Sequence, residues 1–275
     1  MQPRVLICYH SASGNTSWIA TKLAHILKEY GSAVVTHNII HKPAAIDFSC
    51  YDLIGFGCPV MGFRPSFAMI NFIDSLSHQH SIPAFIFTTY SGILANAPWM
   101  LANRLRRQGF VVVAHKNFCS EVSWPIARAI GLVSNHGKPD EQSLPSVRHY
   151  AQQLSLVMKA LKTDETREPS HIPCSRFNPF YYLALVNTPG KLRSIMGKKS
   201  IEKGKCTQCG YCEEYCAADA VTLNPYPTFD EKCTGCWGCF NICPEGAIKT
   251  IVGFKGRYRA KASFLINQLG SLEKD

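Results

Sequence analysis

Apolar and polar positions change period repeatedly along the first 163 residues. Residues 4–9, Arg-Val-Leu-Ile-Cys-Tyr, form a short apolar run that predicts a buried strand. From about Ser17 to Glu29 the spacing becomes helical, with Ile19, Leu23, Ile26 and Leu27 on one face. Further strands are predicted at Ala33–His37, Leu53–Phe56, Ala84–Thr89 and Phe110–His115. Helical stretches fall between them at about Pro65–Leu76 and Ala97–Gln108. Strands alternating with helices predict an α/β fold, a parallel sheet with helices on both faces. Residues 120–143, with Pro125, Gly131, Gly137 and Pro139, read as an irregular insertion after the last strand. In Leu144–Lys162, Val147, Ala151, Leu154, Met158 and Leu161 recur at helical spacing while Arg148, Gln152, Ser155 and Lys159 face water. This helix closes the sheet, with Met158 as core filler.

Two stretches carry candidate chemistry. The first is Ser11-Ala12-Ser13-Gly14-Asn15-Thr16, between a strand and a helix. Hydroxyls and N–H groups converge there at a helix N-terminus, which favours an anion. No lysine stands in the loop, so it is no triphosphate-binding P-loop; taken alone, it also fits an ordinary capped turn. Ligands of parallel sheets bind beyond the carboxyl ends of the strands. Those ends carry Gly57-Cys58-Pro59-Val60-Met61-Gly62, Thr88-Thr89-Tyr90-Ser91-Gly92 and Asn117-Phe118-Cys119, read here as loops.

The second stretch is a duplicated cysteine run. Cys206-x2-Cys209-x2-Cys212-x3-Cys216 repeats 27 positions later as Cys233-x2-Cys236-x2-Cys239-x3-Cys243, followed by Pro244. Ala217 stands where the second half has Pro244. This is the bacterial two-cluster ferredoxin spacing, in which the fourth cysteine of each run ligates the other cluster. Cluster one is therefore assigned to Cys206, Cys209, Cys212 and Cys243, and cluster two to Cys233, Cys236, Cys239 and Cys216. Gly210, Gly235 and Gly238 let the backbone approach closely. Zinc sites usually take two separated pairs of ligands; three thiolates crowded on each loop suit a cubane better, and the fixed duplicated spacing argues against disulfides.

At these residues the chain shows a resemblance. Ser11–Thr16 looks like the flavodoxin phosphate loop. Pro59, Val60, Met61 and Gly62 are similar to the first isoalloxazine loop of short-chain flavodoxins, with Met61 at the stacking position. Thr89, Tyr90, Ser91 and Gly92, with Trp99-Met100, match the second flavin loop region, although no second aromatic follows Tyr90. A flavodoxin-like unit followed by a two-cluster ferredoxin resembles the EFR-type flavodoxin–ferredoxin fusion proteins of anaerobic microbes. The resemblance implies a doubly wound five-stranded parallel sheet at residues 1–163 and a small α+β ferredoxin domain with two [4Fe–4S] clusters at 200–251; the residues between them, 164–199, read as a connector, and 252–275 as a basic amphipathic tail. FMN is expected rather than FAD, because one phosphate loop is present and no G-x-G-x-x-G pyrophosphate loop is. The implied function is electron transfer between FMN, the clusters and an external redox partner. The alternative is a flavin-free interaction module that delivers the ferredoxin unit to a partner enzyme.

Composition narrows the partners. The formal charge is +10, divided as +10 over residues 1–200, −3 over 201–251 and +3 over 252–275. Each oxidised cluster with its thiolates adds roughly −2 and a flavin phosphate up to about −2, so the loaded protein is only mildly basic. Nucleic acid is a poor fit and an acidic redox protein a better one. Lys191, Arg193, Lys198 and Lys199 form its candidate docking surface. No apolar run approaches the ~20 residues of a transmembrane span, and Met1-Gln2-Pro3-Arg4 leads into a strand rather than a signal peptide. Thiolate clusters imply a reducing, cytoplasmic setting. The aromatic connector Phe177–Val186 is expected to pack on both domains and to fasten the ferredoxin unit near Tyr90–Gly92. Cys8, Cys50, Cys58, Cys119 and Cys174 read as small buried hydrophobes, with Cys58 and Cys119 near the flavin, and no residue is assigned a catalytic role.

Overall fold

The computed structural model describes residues 2–40, 46–123, 135–163, 168–196 and 198–250. The predicted tail lies outside them, as does part of the insertion after the last strand. Five strands run parallel in the order β2 (Ala33–Asn38), β1 (Arg4–Tyr9), β3 (Leu53–Met61), β5 (Ile82–Tyr90) and β6 (Phe110–Cys119). The two-residue β4 (Arg64–Pro65) folds back antiparallel on β3. The winding reverses between β1 and β3, which opens the ligand crevice of such sheets.

Alternation along the strands divides the core in two. Val5, Ile7, Phe85 and Phe87 face α1 (Asn15–Glu29) and α4 (Leu144–Lys162). Leu6, Cys8, Ile54, Phe56 and Ile86 face α2 (Phe67–Ser75) and α3 (Ala97–Arg107). α4 buries Val147, Ala151, Leu154 and Met158 as its periodicity predicts. Tyr150, which that pattern did not single out, is fully buried there and donates its hydroxyl to the Ile86 carbonyl at 2.9 Å. On β3, Gly55 and Gly57 make room for the rings of Phe85 and Phe87, whose Cζ atoms would lie 2.3 and 2.0 Å from an added Cβ.

The strands are longer than their apolar runs. β3 continues through Gly57 to Met61 because its ladder to β5 persists at Gly57↔Phe87, Cys58↔Thr88 and Pro59↔Thr89. β5 and β6 likewise stay paired to Tyr90↔Cys119. Most of the stretches read as loops are therefore strand ends. Gly62 and Phe63, with φ of 58° and 66°, make the tight turn from β3 to β4, with the positive φ at both central residues that a type I′ hairpin turn requires.

The connector contains α5 (Pro179–Val186) and α6 (Pro189–Met196). Phe63 meets Phe180 with ring centroids 4.8 Å apart, and Trp99 meets Tyr181 at 6.3 Å. Asn187 Nδ2 donates to the Gly62 carbonyl, and Arg64 donates to the Asn187 carbonyl, a cation placed at the C-terminal end of α5. The aromatic connector thus clamps the β3–β4 hairpin and α3. Among the described residues its inward rings meet Phe63 and Trp99, in place of the expected packing at Tyr90–Gly92. Phe177, Tyr182, Leu183, Leu185 and Val186 stay exposed. Among the described residues no helix is long and apolar enough to cross a membrane.

The cysteine-bearing unit contains one short hairpin, a second antiparallel pair made by its first and last strands, and two helical turns. β7 (Lys199–Ile201) pairs with β10 (Ile248–Thr250), and β8 (Val221–Leu223) with β9 (Pro227–Phe229). α7 (Tyr211–Glu214) and α8 (Gly238–Ile242) repeat at the 27-residue offset of the cysteines. So do the left-handed backbone positions: Gln208 with Gly235, Gly210 with Trp237, Asp219 with Gly246. Gly238 lacks positive φ; its neighbour Trp237 takes that conformation, so the need for glycine is met differently in each half.

Candidate cofactor sites and their junction

The phosphate-type loop sits at the carboxyl end of β1. Gly14, with φ of 88°, lets the chain enter α1, whose first turn has no side-chain cap. Ser11 Oγ accepts from the Gly14 N–H at 3.1 Å. Thr16 and Thr89 share a hydrogen bond at 2.8 Å, which ties α1 to the end of β5. Asn15 Nδ2 donates to the Glu121 carbonyl. Ser11, Ala12, Ser13, Asn15 and Thr16 are all buried. Pro59, Val60, Met61, Gly62, Tyr90 and Ser91 are half-buried, and Gly92 is exposed. Trp99 and Met100 lie in the first turns of α3, where Trp99 is turned to the connector.

His10, one residue before the loop, is buried, with Nδ1 2.9 Å from Ser66 Oγ. Burial lowers its pKa to about 4. The folded state therefore resists a proton that the unfolded chain accepts near its ordinary pKa, and stability falls as pH drops from about 6.5 toward 4. Between pH 7 and pH 5 this should cost about 1–2 kcal/mol. The check is the urea midpoint of the parent and of His10→Gln, in which this part of the acid sensitivity should be missing.

The eight motif cysteines separate into two groups. One cavity is lined by Cys206, Cys209, Cys212 and Cys243. Burial, then the sulfurs of Cys209 and Cys243, push the Cys212 thiol up to about 11. Burial raises Cys236 to about 11 as well, with Cys216 and Cys233 as its sulfur neighbours. Cys239 is raised by burial too, with Cys236, Cys233 and Cys216 beside it. Backbone N–H groups aim at the sulfurs in matching fashion: Ala220 N–H to Cys216 at 3.3 Å and Ala247 N–H to Cys243 at 3.2 Å. Among the described residues no three candidate ligands surround one single-ion position.

Lysine and arginine before the motif turn inward rather than outward. Lys199 Nζ donates to Cys233 Sγ at 2.9 Å. Burial opposes its charge, but the nearby Cys239 and Cys233 sulfurs outweigh that and raise its pKa. Arg193 donates to the Glu231 carbonyl. Of the four residues expected on a docking surface, only Lys191 and Lys198 are exposed.

The two sites meet at the loop. Tyr215, fully enclosed, donates its hydroxyl to the Ser11 carbonyl at 2.6 Å. Asn241 Nδ2 reaches the Ala12 carbonyl at 3.4 Å. Ile40 packs against Tyr215 and Ile242, with Tyr211 and Ala217 alongside. Tyr215, Asn241 and Ile40 belong to no motif, so spacing could not single them out. Tyr215 and Ile242 are related by the 27-residue repeat, and this pair of bulky residues was the available signal. Cys8 and Cys58 are core residues, as expected; Cys50 and Cys119 are exposed, because each stands at the solvent end of its element. Cys119 Sγ lies 3.5 Å from the Tyr90 hydroxyl.

Comparisons with known proteins agree with this division. A flavodoxin domain family model matches residues 6–129, and a 4Fe-4S binding domain model matches residues 226–249, which leaves the first cysteine run outside the match. The chain thus has a flavodoxin-like N-terminal domain and a C-terminal 4Fe-4S domain. Solved structures similar to it include a flavodoxin from the domain Archaea, 17% identical with TM-score 0.44, covering 57% of this chain and 99% of that one. Oxidised flavodoxin 1 from Bacillus cereus is 18% identical with TM-score 0.41, covering 55% and 95%. Rubredoxin oxygen:oxidoreductase from the anaerobe Desulfovibrio gigas is 17% identical with TM-score 0.42, covering 58% and 38%. No curated protein matches.

Proposed function

We propose that the protein is an electron-transfer flavo–iron–sulfur protein that carries FMN in its N-terminal domain and two [4Fe–4S] clusters in its C-terminal one. The observation that carries this reading is the junction. Tyr215, the chain neighbour of the ligand Cys216, is bonded to the backbone of the phosphate loop, so both candidate cofactor sites belong to one contact. Tyr215 also lies close to Cys236, which favours cluster two as the cluster nearer the flavin. The residues fit the groups. Ser11–Thr16 offer a buried, side-chain-uncapped helix start to one terminal phosphate, which suits FMN. Two sets of four thiols suit two cubanes. FMN exchanges one or two electrons and each cluster one, so the pair would let a two-electron donor serve a one-electron acceptor. An acidic protein remains the proposed partner, met by Lys191 and Lys198 rather than by the whole basic run.

Anaerobically purified protein should show flavin bands together with broad cluster absorbance, and about eight irons per chain. Cluster absorbance alone would favour the flavin-free interaction module, which the exposed Gly92 and the missing second aromatic after Tyr90 leave open. Cys212→Ser should remove the EPR signal of cluster one and Cys216→Ser that of cluster two. Loss of the same signal in both variants would contradict the crossed ligand sets.

A further inference from the structure

Resting on the FMN reading above, the geometry points to a second role for the 4Fe-4S domain: it builds part of the phosphate site. In a trans peptide the carbonyl and the N–H point in opposite directions. Tyr215 holds the carbonyl of Ser11, and Asn241 that of Ala12. The N–H groups of the same two peptide units belong to Ala12 and Ser13. They are therefore aimed away from the 4Fe-4S domain, into the loop where the phosphate is expected. Both residues are buried, and among the described residues neither N–H donates to a protein acceptor. A buried donor without an acceptor is costly, so this pair calls for an anion. A hydrogen bond accepted at a carbonyl also polarises its peptide and strengthens the N–H on the other side. Tyr215 and Asn241 are thus positioning residues: they orient and polarise two phosphate donors from behind, without touching the phosphate.

This arrangement predicts an effect specific to the phosphate. The full-length protein, with its clusters loaded and its flavin removed anaerobically, is titrated with FMN and with riboflavin, which has the same ring and no phosphate. Tyr215→Phe, which keeps the ring and deletes only the hydroxyl, should raise the FMN dissociation constant about twofold, because the bond to Ser11 exists with and without flavin and only its strengthening of the Ala12 N–H is lost. Riboflavin affinity, iron content and both cluster EPR spectra should not change. Asn241→Ala should act in the same direction. An unchanged FMN constant overturns the inference, and so does an equal loss for FMN and riboflavin, which would mean general loosening of the domain contact. A parent protein that binds neither flavin overturns the FMN reading itself, and the two failures are told apart by the parent's titration.

Discussion

Anaerobic removal of iron should unfold residues 198–250 and leave the five-stranded sheet standing. The C-terminal unit has little else to hold it. Its strands are three residues long, and its main buried cluster is Cys212, Val221, Trp237, Cys239, Phe240 and Ile248, in which two of the six are cysteines proposed as ligands. A unit of this size rarely folds on apolar burial alone and needs a metal or another staple. Where the ligands come together only in the folded state, the free energy of metal binding is folding free energy. The N-terminal sheet instead rests on two full apolar layers. Hydrogen exchange read by mass spectrometry is the check: peptides from 198–250 should lose protection, whereas β1, β3 and β5 should keep theirs. The buried loop at Ser11–Thr16 should lose protection as well, since Tyr215 and Asn241 are bonded to its backbone. Full protection of 198–250 without iron would show that this unit folds independently of its clusters.

Gly57→Ala should cost about 1–3 kcal/mol, read as a lower urea midpoint. The new methyl group would lie 2.0 Å from Phe87 Cζ and 2.4 Å from Phe87 Cε2. Phe87 cannot swing aside cheaply, because it is fully buried in the layer that holds Trp18, Phe118 and Tyr150. Close-packed interiors transmit such strain rather than absorb it. β3 also carries Met61, so on the proposed FMN reading a displaced strand should weaken flavin binding together with stability. Gly31→Ala is a control: it sits at positive φ with nothing near its would-be Cβ, so it should cost only local backbone strain. Equal effects at the two positions would exclude packing against Phe87 as the cause.

Both predictions rest on contacts that a one-dimensional pattern expresses unevenly. Val147, Ala151, Leu154 and Met158 were legible because one helix face is a local periodicity. Gly57 was visible as a glycine, but its reason, a ring on the neighbouring strand, was not. The strand ends at Gly57–Met61 and Asn117–Cys119 were hidden for a related reason. Ladder hydrogen bonds continue wherever a partner strand continues, even where the side chains cease to be uniformly apolar. The aromatic connector was visible as a segment that must be covered. Its partner, Phe63 in a left-handed turn, could be found only in three dimensions.

By itself the sequence determined the α/β layering of the first domain, the anion-type loop at Ser11–Thr16 and the duplicated cysteine unit. In each of these the spacing of residues along the chain carries the physics, through helix and strand periods or through the reach of a short loop of thiols. Tertiary structure alone decided that the two units meet at the loop, with Tyr215 on a carbonyl 204 positions earlier in the chain. It also decided that the connector grips the hairpin instead. Such contacts arise from the shapes of finished surfaces, and any buried tyrosine can donate one hydrogen bond to any carbonyl within reach. No local spacing encodes which one it finds.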